Sequence, residues 1–341
     1  MSESVQVIPP FIDSPVPASL RRAARPTARE WTKHAVLFLL TTFTTTLAGV
    51  MNLSGDVAIP DVAPPSSVLD YLFYVPQLYF KAVGAYLEHA FANPSLLLLG
   101  GLFAGSLLAI LLAHEFGHYI ACRRYDVNAT LPFFLPAPPL FLAGTFGAFI
   151  KIKSPIPTRR ALFDIGLAGP LAGFIIAVPI AFMGIMTLQP VPPVTGDAII
   201  FNDPLLFRIF ARIGGVDLAN SAPNPFYFAA WIGLLVTSLN LMPVGQLDGG
   251  HATYSLFGAR AHKWIGRIAF VVMSTLAVLG WVWHGSPSGF LYAVLLGVML
   301  RIKHPRVEDE LEPLDSSRRM VAAITLAVFV LSFLPFPIKI I

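Results

Sequence analysis

The sequence predicts an all-α polytopic membrane protein of about seven transmembrane helices, with a short membrane-associated β-like hairpin or loop between two of them. Three observations carry this reading. Of 341 residues, 55% are hydrophobic and only 12% are charged, about half the charged share of an ordinary soluble domain. The apolar residues fall into long blocks, and a helix needs about 20 of them to cross a hydrocarbon core. The lysines and arginines between the blocks are one-sided, as the positive-inside rule requires. Too few charges remain to coat a globule, so soluble, disordered and collagen-like classes are excluded. The net charge of +4 is explained by this placement, and no nucleic-acid partner is expected.

Seven blocks qualify or nearly qualify as spans: roughly 35–53, 95–122, 163–188, 226–247, 265–283, 288–302 and 320–337. With a cytoplasmic N-terminus, 19 of the 23 Lys and Arg fall in inner segments, leaving only Lys81, Arg208, Arg212 and Lys339 outside. An odd number of crossings then puts the C-terminus outside. The chain divides into a flexible N-terminal tail (1–33), a first transmembrane helix with an outer interfacial segment (34–93), a membrane core (94–255) and C-terminal transmembrane helices (256–341). The tail is rich in Pro, Ser and Arg and lacks the apolar core of a signal peptide. Residues 66–91 read either as a helix lying in the interface, bent at Pro76, or as an ordinary outer loop packed on the bundle.

Residues 131–157 fall inside yet are very apolar, and their six prolines forbid a continuous helix. Such a segment dips into the membrane against protein, since bare backbone cannot face lipid. Its second half, Thr145 to Lys153, runs in strand-like order. Residues 303–319 read as a charged linker in which Glu308, Asp309, Glu310 and Glu312 are solvated. The single cysteine, Cys122, excludes an intrachain disulfide and any CxxC motif.

The second block ends LLAHEFGHYIAC, where His114, Glu115 and His118 form H-E-x-x-H. Residues i and i+4 share one helix face, so two imidazoles can reach one metal while the Glu holds a water for activation. A Glu inside a membrane is costly to bury and marks function by default. A catalytic zinc site takes three protein ligands and keeps an open position, so a third ligand is needed. The extended soluble motif is absent, because Ala121 and Arg124 stand where it would continue. Cys122 lies one further turn on, and ligands at i, i+4 and i+8 span about 12 Å and cannot meet one ion. It reads as a packing residue.

The fourth block, WIGLLVTSLNLMPVGQLDGGHATY, offers Asp248. Pro243 frees backbone groups, and Gly245, Gly249 and Gly250 allow close approach. D-G-G can simply end a helix, but depth favours a ligand. His114 lies 20 residues past Pro94 and Asp248 lies 22 past Phe226, and both blocks run inward. Asp164 is a rival carboxylate, expected instead to pair with Arg159 and Arg160. His251 is a candidate for the layer behind the ligands. His34, His89, His262, His284 and His304 sit at block ends and read as interfacial.

HEFGH followed by NLMPVGQLDGG resembles the site-2 protease family of intramembrane zinc metalloproteases. The resemblance covers roughly 95–255 and extends to AGTFGAFIKIKSP and DIGLAGPLAGF. It implies that His114, His118 and Asp248 hold one Zn2+ per chain and that Glu115 is the general base. It implies that Asn240 lies at the site and steadies the substrate or the oxyanion. The 94–255 region is then the metalloprotease core, of a branch without an inserted PDZ domain. The implied function is hydrolysis of peptide bonds in or near transmembrane segments of membrane proteins, as in regulated intramembrane proteolysis. The implied partners are membrane-protein substrates with a transmembrane helix and the lipid bilayer. An inner-face site suits a bacterial plasma membrane. The alternative is a metal or proton-coupled membrane transporter, because buried ionisable groups also mark pathways. Transporters often show paired broken helices, and the sequence offers one.

Overall fold

Thr27 and Glu30 start the first helix. The Thr27 hydroxyl accepts the Glu30 N–H at 3.3 Å, and the Glu30 carboxylate accepts the Thr27 N–H at 2.9 Å, a reciprocal cap that satisfies two orphan donors. From here the computed structural model describes residues 25–55, 57–138, 140–192, 199–302, 304, 307–310 and 313–340. The expected tail as far as residue 24, and Glu312, lie outside them.

Helix α1 (Ala28–Leu53) packs on α3 (Pro94–Arg124), with α2 (Tyr71–Ala92) between them in sequence. Within α2 only Ala82 and Ala90 are buried, Pro76 lies inside the helix, and Leu72, Phe73, Val75 and Phe80 are exposed. Helix α4 (Arg159–Met186) begins at Arg159 rather than 163, because the Thr158 hydroxyl accepts the Ala161 N–H at 3.1 Å and sets the cap. After α5 (Leu205–Gly214), α6 (Pro225–Asn240) is buried without interruption from Phe228 to Leu234 and forms the centre of the bundle. Its 16 residues make it about 24 Å long, short of the ~30 Å hydrocarbon thickness.

The sequence placed a connection between 247 and 265. The structure has a shorter break there: two helical stretches, together α7 (Asp248–His284), meet at a kink. The only interruption inside it is Gly258, at φ 81° and ψ 172°. Arg260, Lys263 and Arg267 therefore ride on exposed positions of a helix, not in a loop. The chain finishes with α8 (Ser288–Arg301) and α9 (Ser316–Ser332). By length and composition α1, α3, α4 and α7 are long and apolar enough to cross a membrane, and α6 and α8 are apolar but shorter.

The core joins α3, α4 and α6 through Phe103, Leu107, Ile110, Ala177, Ala181, Trp231 and Leu234. Between membrane helices such contacts act through close van der Waals packing, because lipid is as apolar as the side chains.

Among the described residues, four two-stranded ladders lie in the connections. Strand β1 (Phe133–Pro136) pairs antiparallel with β2 (Thr145–Phe149), Phe133 opposite Phe149 and Phe134 opposite Ala148. Strand β3 (Ile156–Thr158) pairs in parallel with a later strand, while β4 (Gln189–Pro190), β5 (Ile199–Phe201) and β6 (Ser221–Ala222) lie between α4 and α6. The partner of β3 is β7 (Val307–Asp309), and β8 (Ile338–Ile340) pairs with β5. The expected linker at 303–319 is thus partly a strap. Ile156 lies opposite Val307, the Arg159 guanidinium donates to the Glu310 carbonyl at 3.4 Å, and Arg160 donates to the Pro313 carbonyl at 3.2 Å. Glu308 and Asp309 remain exposed on it.

Helix α1 backs the whole 131–149 segment. His34 Nδ1 donates to the Pro132 carbonyl at 2.9 Å, the Thr44 hydroxyl to the Gly144 carbonyl at 2.6 Å and the Asn52 amide to the Leu142 carbonyl at 2.9 Å. This non-helical backbone is thus held by side chains of α1.

Candidate metal centre

Helices α3 and α4 meet along a groove of glycines. A Cβ on Gly117 would lie 2.3 Å from the Ala168 carbonyl oxygen, and one on Gly173 would lie 3.1 Å from the His114 Cβ. On Gly169 it would collide with the His118 ring. The small residues of α4 therefore make room for both imidazoles.

His118 Nδ1 lies 2.6 Å from the Ile165 carbonyl oxygen. That carbonyl can only accept, so Nδ1 carries a proton, and in the neutral ring Nε2 presents its lone pair. His118 Nε2 lies 3.1 Å from His114 Nε2, and Asp248 Oδ2 lies 3.3 Å from His114 Nε2 and 3.4 Å from His118 Nε2. The three atoms fall within 4.8 Å of one another, the one such group of His, Cys, Asp or Glu among the described residues. Both histidines are buried. Asp248 is the first residue of α7, where the positive end of the helix dipole favours a carboxylate.

Two imidazole nitrogens and a carboxylate oxygen converging on one point form a donor set that suits zinc.

Glu115 is buried on the same helix, and its carboxylate accepts the Ile150 backbone N–H. The Asn240 amide lies 3.3 Å from His114 Nε2. These residues line a cavity of about 570 Å³ together with Ala148 to Ile152 and His251. The backbone along that wall has two sides. Thr130 N–H donates to the Lys151 carbonyl at 3.0 Å and Lys153 N–H to the Asn128 carbonyl at 2.7 Å. The backbone groups of Lys151 and Lys153 therefore face the 128–130 segment, and strand alternation turns those of Ala148, Ile150 and Ile152 the other way, toward the cavity.

Asp164 does not join the group. Its expected partners, Arg159 and Arg160, point to carbonyls elsewhere. Asp164 instead pairs with Arg318 at 2.5 Å and accepts the Tyr125 hydroxyl. Long-range pairing with α9 wins over sequence proximity. Cys122 is buried among Val127, Ile156, Leu162 and Ile165. His34 and His262 are buried within the protein, and His304 packs against Tyr254. Sequence reasoning missed the Ile165 carbonyl, the Ile150 N–H and the glycine groove. The small residues of DIGLAGPLAGF were a signal for the groove alone.

The profile of peptidase family M50, the site-2 protease family, matches residues 102–281. This chain belongs to peptidase family M50. The M50 chain is 31% identical over 241 residues to "Probable zinc metalloprotease EGY1, chloroplastic" of Oryza sativa subsp. japonica, covering 68% of this chain and 40% of the relative. The corresponding Arabidopsis thaliana protein is also 31% identical, over 68% of this chain and 42% of its own length. "Probable zinc metalloprotease EGY2, chloroplastic" of Arabidopsis thaliana is 29% identical over 73% of this chain and 44% of its own length. The M50 chain thus spans about two fifths of the length of the curated relatives it matches. No solved structure matches it.

Proposed function

We propose that this protein is a zinc metalloendopeptidase that hydrolyses peptide bonds in or near transmembrane segments of membrane proteins, as in regulated intramembrane proteolysis. One observation carries the reading: His114, His118 and Asp248 converge within 4.8 Å, with Glu115 beside them in a chain of family M50.

In this reading His114, His118 and Asp248 hold one zinc ion per chain within the 94–255 core. Bound zinc would polarise the scissile carbonyl and ease deprotonation of the attacking water. Glu115 takes the water's proton on its carboxylate and delivers it to the leaving amine nitrogen. The Ile150 N–H holds that carboxylate in place. The Asn240 amide donates to the oxygen that gains charge as water adds. A transmembrane helix must unwind to be cut. The cavity-facing groups of Ala148 and Ile152 offer an edge on which the extended peptide pairs by strand addition.

The same reading keeps seven crossings, with α6, α8 and α9 joining the four long helices, the N-terminus inside and the site toward that side. The lysine and arginine distribution supports it. The relatives' printed names place those proteins in chloroplasts, so the bacterial plasma membrane draws no support from them and the membrane is left unnamed. The transporter reading draws no support from the family or its relatives.

The test is Glu115→Gln, reconstituted with a single-span substrate. Cleavage should be lost while zinc is retained. Cleavage at the wild-type rate would overturn the assignment.

A further inference from the structure

We propose that His251 contacts the substrate in this site and that His304, delivered by the α8–α9 connection, is its positioning residue. His251 stands one turn past Asp248 on α7 and lines the same cavity. Its Nδ1 lies 2.8 Å from Nε2 of His304. His304 is itself held, its ring stacked on Tyr254 with centroids 4.1 Å apart and planes 7° from parallel. The Tyr254 hydroxyl donates to the Glu310 carboxylate at 2.6 Å, and Glu310 follows β7, which is paired to β3. The strap thus fixes His304, and His304 fixes the ring of His251.

A neutral imidazole has one donor and one acceptor nitrogen. In the proposed pair we assign Nε2–H of His304 as the donor and Nδ1 of His251 as the acceptor, so that the polar atom His251 keeps for the cavity is Nε2–H. The peptide there presents carbonyl oxygens, and the scissile one gains negative charge as water adds. A donor already aimed at that oxygen strengthens in the transition state without reorganising. No proton leaves His251 in this role. The inference rests on the peptidase reading and goes beyond it, because His304 lies outside the family-matched residues 102–281.

The test uses the full chain in proteoliposomes with a single-span substrate, reading kcat, KM, zinc per chain and unfolding temperature. His251→Phe should lower kcat about 100-fold with KM and zinc kept. A Gln amide nitrogen reaches the position of Nε2 and an Asn amide reaches only that of Nδ1, so His251→Gln should recover activity that His251→Asn does not. His304→Phe should lower kcat about 10-fold, and His304→Gln, which can still donate, should restore most of it. Wild-type kcat in His251→Phe, loss of zinc from it, or equal rates for His304→Gln and His304→Phe would each overturn the proposal. Surviving cleavage in Glu115→Gln would bring down the peptidase reading and this inference together. A dead Glu115→Gln beside an unaffected His251→Phe would bring down this inference alone.

Discussion

A methyl group on Gly169 would lie 2.1 Å from Nε2 of His118. The nitrogen that faces the other donors thus fits only against a residue with no side chain. Helix α4 supplies no atom to the donor group, yet its backbone shapes the space in which the donors meet, and its Ile165 carbonyl sets the ring that α3 carries.

Gly169→Ala should therefore displace the His118 ring and release zinc. Metal analysis of the purified protein should find well under one zinc per chain, with cleavage lost in proportion. Gly105→Ala is the control, since a Cβ there meets nothing within 4 Å. It should keep both zinc and activity. Full zinc in Gly169→Ala would mean that the ring has room the geometry denies it.

Asp248→Asn should leave the fold intact, because Asn is tolerated at a helix start. It removes the anionic donor, so zinc should dialyse away under a chelator concentration that leaves the wild-type protein loaded. Equal retention by the two proteins would remove Asp248 from the donor set.

Ala148→Pro deletes an N–H on the cavity-facing edge of β2 while the Phe149 backbone still faces β1. Zinc content should be unchanged and cleavage should fall at least 10-fold, mostly through the extended substrate's binding. Undiminished cleavage would dismiss strand pairing on this edge.

Asp203, between β5 and α5, gives a pH signature away from the metal centre. Burial pushes its carboxyl above the ordinary value of 3.8, although the Tyr227 hydroxyl donates to it at 2.6 Å and Arg208 lies near. The folded protein therefore binds that proton more tightly than the unfolded chain. The resulting stability is full below the ordinary value and is lost as pH rises through the folded-state value. Asp203→Asn keeps an acceptor for Tyr227 and cannot ionise. Its unfolding temperature in detergent should change less than that of the wild-type protein from about pH 4 upward. Parallel profiles would place the pH dependence elsewhere.

The donor set was legible because its information is local. His114 and His118 share a face at i and i+4, and Asp248 announces itself between Pro243, Gly245 and Gly249. Depth along two inward blocks then brings the pieces together. What stayed hidden depends on which distant surfaces touch. Asp164 chose Arg318 on α9 over Arg159 and Arg160, which are bound to carbonyls on other elements. His304 read only as one of the histidines at block ends, and its stacking on Tyr254 depends on a contact that sequence does not show. The helical course of α7 through Arg260, Lys263 and Arg267 was obscured because those charges read as a loop, whereas the break is confined to a kink. Only Gly258 departs from helical geometry there.

The hydrogen bonds from His34, Thr44 and Asn52 to the 131–149 backbone carry a practical consequence. A fragment cut to the family-matched residues 102–281 would keep His114, His118 and Asp248 yet lose the three side chains of α1 that hold the cavity's strand wall, so on the reading proposed above it should cleave far more slowly than the full chain.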